Sequence, residues 1–409
     1  MLDVLIVGAR CAGSPLALLL ARRGYQVAVL DAASFPSDTL STHLIWPAGV
    51  AALHRWGVWP AVAAGNPGIC HRGLTSMAGG TLRGPWYPVD QVDYTVNIRR
   101  IKLDAMLVAR AGEAGADVRE GVVVDGLLRD GDRVVGVAGY VRKTRRRFTE
   151  HAAMVIGADG QRSTVAALVG AASDDVVPSL SVTYYRYVSD LPGDRDLDEV
   201  YTCAPREYLF SPTDDGLTVV NLVMANELAA AFRHDVEGNF LRAFDLQPAL
   251  AARLRAARPV DRIRGVLNQP NFYRRSYGPG WALVGDAAYT KDPVRAQGIS
   301  DAFIDAEALA GALSDGFSGR RDMTTALCAH ERERRRRTAV PYEFCLRAAR
   351  FEVPSPVSMR RLMSLVEGRP AALAEMRGMV YGAIDPDQFY TREHLALLLG
   401  REAVEEALP

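Results

Sequence analysis

The sequence predicts an α/β protein with an antiparallel sheet inserted into it and a helical C-terminal region. Three observations predict this. A β-branched run, Val4–Val7, passes through a glycine-bounded turn into a helical stretch, and a second apolar run follows at Gln26–Leu30. That is the order of a βαβ unit with buried parallel strands. From about Leu180 to Val223 the pattern changes to aromatic and β-branched alternation, as in Val182-Thr183-Tyr184-Tyr185-Arg186-Tyr187, which suits an antiparallel sheet. Beyond Gln297 the pattern is mainly helical, broken by Pro354, Pro356, Pro370 and Pro386.

Each element follows in order. Gly8–Gly13 is a tight turn, and Ser14–Arg23 is a helix that tolerates Pro15 in its first turn and stops at Gly24. The second strand finishes on Asp31. Helices are expected at Pro47–Trp56 and Arg100–Gly112, and strands at Val118–Val124 and Arg133–Val141. Ala153–Gly160 reads as a buried strand running into a turn, and Trp281–Asp286 as another. Helical segments around Asp235–Ala256 interrupt the inserted sheet before Ile263–Asn268, and a long helix spans Gln297–Leu313. The Arg332–Arg337 run, interleaved with Glu331 and Glu333, reads as a solvated helix face ending near Pro341.

Composition bounds the function classes. The chain has 409 residues, 48 basic and 48 acidic, with about half apolar. It is an ordinary globular composition with room for two or three domains. Zero formal charge argues against nucleic acid or an anionic membrane as the main partner. The five cysteines are scattered with no Cys-x-x-Cys, and the seven histidines show no ligand spacing, so no metal site and no disulfide framework is expected. Met1 runs straight into the first strand, and no apolar stretch is long enough to span a bilayer. A reduced, cytoplasmic protein is expected.

The chemistry sits in three motifs. Gly8-x-x-x-x-Gly13, between strand and helix, sets backbone N–H groups and a helix N-terminus against a pyrophosphate. Arg10 takes the place of the usual middle glycine. Asp31, about twenty residues further on, is placed to accept hydrogen bonds from an adenosine ribose; its alternative reading is a turn cap. The other two motifs are Gly157-Ala158-Asp159-Gly160-Gln161-Arg162-Ser163 and Leu283-Val284-Gly285-Asp286-Ala287-Ala288, the latter continuing to Pro293 and Ala296-Gln297-Gly298.

In this order the three segments resemble the p-hydroxybenzoate-hydroxylase-like FAD enzymes, a superfamily that includes geranylgeranyl reductases and flavin halogenases. The resemblance covers roughly residues 1–315. It implies a Rossmann-like FAD-binding domain of the GR2 type, with the inserted sheet as substrate domain. The corresponding boundaries are 1–75, 95–175 and 275–330 for the FAD domain, 76–94 and 176–274 for the sheet, and 331–409 for the helical end. It also implies non-covalent FAD held by Gly8, Cys11, Ala12, Gly13, Asp31, Thr42, His43, Arg100, Val124, Asp159, Gly160, Gly285, Asp286, Pro293, Gly298 and Ile299. Arg100 matches by its spacing to Leu103-Asp104, with Arg99 as the fallback. The helix after Pro293 directs its dipole at the flavin N1–C2=O edge.

Three departures stand out. Ala166 follows Ser163-Thr164-Val165 where relatives carry arginine, Tyr289 stands where histidine is common, and the charged pair Lys291-Asp292 precedes Pro293. A surface ion pair is the simple reading of that pair. The activity implied is a secondary-metabolite monooxygenase that uses NAD(P)H and oxygen, through a flavin C4a-hydroperoxide, on an aromatic or polycyclic small molecule. The alternative is an ene reductase of the geranylgeranyl kind. A halogenase is less expected, because no Trp-x-Trp-x-Ile-Pro motif is present, and a non-catalytic flavin carrier is the remaining option. The weak catalytic candidates are His43, Tyr289 and Lys291. Strand alternation puts Tyr185 and Tyr187 on one face as substrate candidates, with Tyr184 and Arg186 on the other; Arg186 is a candidate anchor for an anionic group or a solvent-facing ion pair.

Overall fold

A computed structural model of the chain describes residues 1–400. Its first sheet is built outward from Leu2–Val7, which lies between Val27–Asp31 and Arg147–Gly157, parallel to both. Asp117–Glu120 and Trp281–Leu283 extend the sheet, still parallel, and the edge strand Tyr277–Gly278 joins antiparallel. Both faces are covered. Leu16, Leu20 and Phe303 pack on one, and Val134, Val137 and Val165 on the other. That double burial explains the continuous apolar runs. Arg147–Gly157 serves two layers, because its first half pairs antiparallel with Arg133–Val141, which pairs in turn with Val122–Asp130. The single strand expected at Val118–Val124 is therefore two, broken at Gly121 (φ 65°).

The inserted sheet runs in the order Arg258–Pro259, Ser181–Ser189, Thr218–Ala225, Arg206–Pro212, Leu197–Cys203, Arg72–Met77, Gly80–Pro85. It is antiparallel except where Leu197–Cys203 meets Arg72–Met77. One face, with Tyr184, Tyr208 and Phe210, is covered by Phe232, Phe240 and Phe244 from the helical excursion. The other face, with Thr183, Tyr185 and Tyr187, turns toward the first sheet.

The helix Gly298–Phe317 packs against a longer one, Met323–Ala349. This second helix corrects two expectations. It does not end near Pro341 but continues through it, with the proline buried. The arginine run is a solvated face only in part: Arg332, Glu333 and Arg336 are exposed, but Arg334 and Arg337 turn inward. Arg334 is buried with 1% of its side chain exposed, and Arg337 lines a cavity. The cause is a stripe of Leu327, His330, Arg334, Thr338 and Pro341 turned inward, where Asp305 meets His330 at 3.0 Å and Arg334 at 3.5 Å.

Pro370–Val380 packs on the edge strand Gly80–Pro85. Among the described residues no helix is long and apolar enough to cross a membrane, no cluster of potential metal ligands occurs, and the cysteines are all free thiols.

Candidate functional site

The turn after Leu2–Val7 is fixed by backbone geometry that only glycine tolerates. Gly8 has φ +103°, and a Cβ there would lie 2.5 Å from the Ala158 carbonyl oxygen. At Gly13 a Cβ would lie 1.8 Å from the Gly8 oxygen. The helix that follows has no side-chain cap and no acidic residue in its first turn, so its N-terminal N–H groups and positive dipole end are open to an anion. Asp31 Oδ2 accepts from Ala9 N–H and Oδ1 from Ala33 N–H, each at 2.7 Å. It thus pins the turn while also lining the cavity.

That cavity has a volume of about 830 Å³ and is one continuous cleft. It starts at Gly8, Cys11, Ala12, Asp31 and Val124, passes Thr42, Arg100, Asp159, Gly160, Gly285 and Asp286, and reaches Pro293, Gly298, Ile299 and Tyr185. Gly13 lies behind this wall as part of the turn. Of the two neighbouring arginines, Arg100 faces the cleft and forks onto Asp104 at 2.9 and 3.0 Å; Arg99 instead pairs with Asp214 and Asp215. Arg10 joins the same carboxylate, its Nη1 2.5 Å from Asp104. Asp159 is spent locally, accepting from Ser163 Oγ and Thr164 N–H and so capping the short helix that follows.

Asp286 makes no hydrogen bond with another described residue, and burial pushes its carboxyl up to about 6 against the pull of Arg100. Beyond it, Lys291 Nζ lies 2.7 Å from Asp301, and Tyr289 donates to the same carboxylate at 3.2 Å. The Lys291 side chain is only 5% exposed, so it forms a buried ion pair rather than a surface one. Its partner is not Asp292, which accepts from Ser181 and Val294.

His43 sits at φ +66° and is fully buried. Its Nε2 is 2.7 Å from the Tyr187 hydroxyl, and Nδ1 has no partner. Burial, aided by Arg100, brings it down to about 3, so the imidazole is neutral at ordinary pH. Tyr185 lines the cleft. Arg186 does not: on the opposite face it pairs with Glu237 and donates to the Asp261 carbonyl. The strand alternation that separates it from Tyr185 also removes it from the cleft.

Comparison with known proteins matches this arrangement to a family described as the FAD binding domain over residues 1–342. The chain belongs to that family. It is 29% identical over 378 residues to kynurenine 3-monooxygenase of Salinispora tropica, covering 85% of this chain and 79% of that protein. It is 27% identical over 337 residues to menaquinone reductase of Mycolicibacterium smegmatis, covering 73% of this chain and 72% of that protein. The structure of a flavin-dependent brominase superimposes with a TM-score of 0.82 at 17% identity, covering 99% and 98% of the two chains; that likeness is one of fold. The protein is an FAD-dependent oxidoreductase of the monooxygenase family, with the α/β GR2-type fold.

The FAD-binding cleft fits its cofactor on structural grounds. The glycine cradle leaves no room for a Cβ, the uncapped helix faces one end, and the half-buried carboxylate of Asp286 on the cleft wall makes no hydrogen bond with another described residue. The helix Gly298–Phe317 is likewise uncapped by any side chain, and its first turn lines the cleft at Gly298 and Ile299. Sequence reasoning missed Asp301, Arg334 and Arg337 on the cleft wall. The available signal was the inward stripe continuing at helical spacing through Arg334.

Proposed function

We propose that the protein is an NAD(P)H-dependent monooxygenase that inserts one oxygen atom into a flat aromatic or polycyclic small molecule. The observation that carries this reading is the continuity of the cleft, which joins the nucleotide motifs to Thr183 and Tyr185 of the inserted sheet. A substrate resting on that sheet lies against the end of the cleft bounded by Pro293, Gly298 and Ile299. Bound FAD supplies the redox chemistry, taking a hydride from the nicotinamide and activating oxygen for transfer.

The chain's own task is positioning and exclusion of water. Gly8–Gly13 and Arg100 serve the pyrophosphate end, Asp286 accepts from ribityl hydroxyls, and the helix N-terminus at Gly298 favours negative charge on the pyrimidine edge. Tyr185 offers a ring face and a hydroxyl without a partner. His43, bonded to Tyr187, stays neutral and serves to position that hydroxyl rather than to take a proton, and Lys291 pairs with Asp301.

The relative named kynurenine 3-monooxygenase supports this reading. The relative named menaquinone reductase supports the second, ene reduction. A prenyl-reducing site calls for a long apolar tunnel, and a wall bearing Thr183, Gln161, Lys291 and Asp301 favours the first. The test is substrate-stimulated oxygen consumption across phenols, anilines and polyketide-like aromatics, with ¹⁸O₂ traced into product. One labelled oxygen per turnover is expected. Anaerobic product carrying two added hydrogens and no oxygen sinks the proposal.

A further inference from the structure

One stretch of the cleft wall is explained neither by the nucleotide motifs nor by the inserted sheet. Asp305, Arg334 and Arg337 line the cleft there, together with Tyr289, Lys291 and Asp301. Hydrogen bonds tie these residues together. Asp305 Oδ2 accepts from Gly285 N–H at 2.9 Å, and its Oδ1 lies 3.0 Å from His330 Nε2. Asp301, one turn earlier on Gly298–Phe317, holds Lys291 at 2.7 Å and Tyr289 at 3.2 Å. Arg334 and Arg337 stand one turn apart on Met323–Ala349, so they share a face of that helix.

Arg334 is the anomaly. Its side chain is 1% exposed, and Nε, Nη1 and Nη2 are all buried without a hydrogen-bond partner. It meets Asp305 only as an ion pair at 3.5 Å, since both oxygens of that carboxylate are already engaged. A guanidinium presents five N–H donors in a rigid fork, and such a group buried with its donors unmet calls for a reason. The polar groups beside it have their partners: the Tyr273 and Thr338 hydroxyls lie 2.9 Å apart, and Thr338 donates to the Arg334 carbonyl at 2.8 Å. Arg337 also lines the cleft, and its side chain makes no hydrogen bond or ion pair with a described residue.

The charges here leave one cation over. Lys291 offsets Asp301, and Arg334 offsets Asp305. Asp286 lies in the field of Arg100. Arg337 has no carboxylate against it, so a single negative charge balances the wall, and a second would face Asp301 and Asp305. Two guanidiniums on one helix face also favour an acceptor whose oxygens share a plane, because each fork aligns with two such atoms.

We infer that Arg334 and Arg337 hold a small monovalent oxyanion, of carboxylate or nitrate size, in this part of the cleft. Bound there, it supplies the acceptors that Arg334 lacks and neutralises Arg337. The site stands whichever reaction the flavin carries out.

The test follows thermal unfolding of FAD-loaded protein while formate, nitrate or sulfate replaces chloride at constant ionic strength. Formate and nitrate should each raise Tm saturably, by about 1–2 °C at about tenfold over Kd, and sulfate should not. Arg337→Gln removes no hydrogen bond or ion pair with a described residue. That variant should keep its flavin spectrum and need about tenfold more formate for the same shift. A crystal structure of the FAD-loaded protein with formate should show the anion within hydrogen-bond distance of both guanidiniums. Any one of four results overturns the site: no saturable shift with formate and nitrate, a sulfate shift equal to theirs, a wild-type response from Arg337→Gln, or Arg334 bonded only to water or to a phosphate of FAD.

Discussion

Asp286 is a carboxylate with a raised pKa, no protein partner and a place on the cleft wall, and these features make FAD binding depend on pH. Desolvation holds the group at about 6 in the free protein, with Arg100 opposing. In the site as proposed, ribityl hydroxyls donate to the ionised form, so FAD selects the carboxylate. Affinity is therefore full above pH 6 and falls as protons are taken up below it, by about tenfold at pH 5. Asp286→Ala should bind FAD about ten- to a hundredfold more weakly at neutral pH and lose the acid limb. Fluorescence titration at pH 7.5 and 5 reads both effects. A variant as pH-sensitive as wild type would remove Asp286 from the cofactor site. Its place on the cleft wall was legible in the sequence because Leu283–Ala288 resembles a family motif that is contiguous along the chain. His43 was expected beside the cofactor but lies behind the cleft wall, and its bond to Tyr187 was not legible, since it spans 144 positions and no local spacing encodes it.

At the scale of elements, the regular strands and helices were readable from period alone, and the long helix Met323–Ala349 was not. A proline and five arginines argue locally for a break and a wet face, but packing against Gly298–Phe317 prevails. Asp305 is held below the usual carboxylate range by Arg334 and His330, and it draws both inward. Arg377 shows a similar override. On Pro370–Val380 it is 5% exposed and donates to the carbonyls of Gly84, Pro85, Gly73 and Leu82, fastening the C-terminal helices to the sheet hairpin. Hydrogen bonds from a charged donor contribute about 1.5–3 kcal/mol each, with water recovering part of that on removal. Arg377→Met should therefore destabilise the chain by about 3 kcal/mol and expose residues 350–400 to protease. Urea unfolding and limited proteolysis check this, and an unchanged digestion pattern would show that the hairpin is anchored elsewhere.

At the scale of the molecule, the two sheets meet around one cleft, so a ligand filling it touches both. Gly8, Asp31 and Val124 come from the parallel sheet and its covering ribbon, Thr183 and Tyr185 from the inserted one, and Lys291 and Ile299 from the connection between them. The sequence showed that both sheets exist, but not that they share a wall, because strand patterns record which side is buried and not what buries it. FAD bound across this junction stabilises the whole fold by mass action. At a hundredfold excess over Kd the gain is about 2.7 kcal/mol. With typical unfolding entropy per residue, a chain of 409 residues gains about 3 °C in Tm. ADP reaches only the glycine-loop end, binds through fewer contacts and at the same concentration should raise Tm less than FAD; at equal saturation the two gains converge, and the difference between the ligands then lies in what each orders, with FAD alone ordering the connection from Lys291 to Ile299. Hydrogen exchange should then show the strands around Tyr185 and Asn221 protected by FAD and unaffected by ADP. Equal protection by the two ligands would mean that the inserted sheet is held without help from the flavin half, and that the shared wall transmits nothing between the two domains.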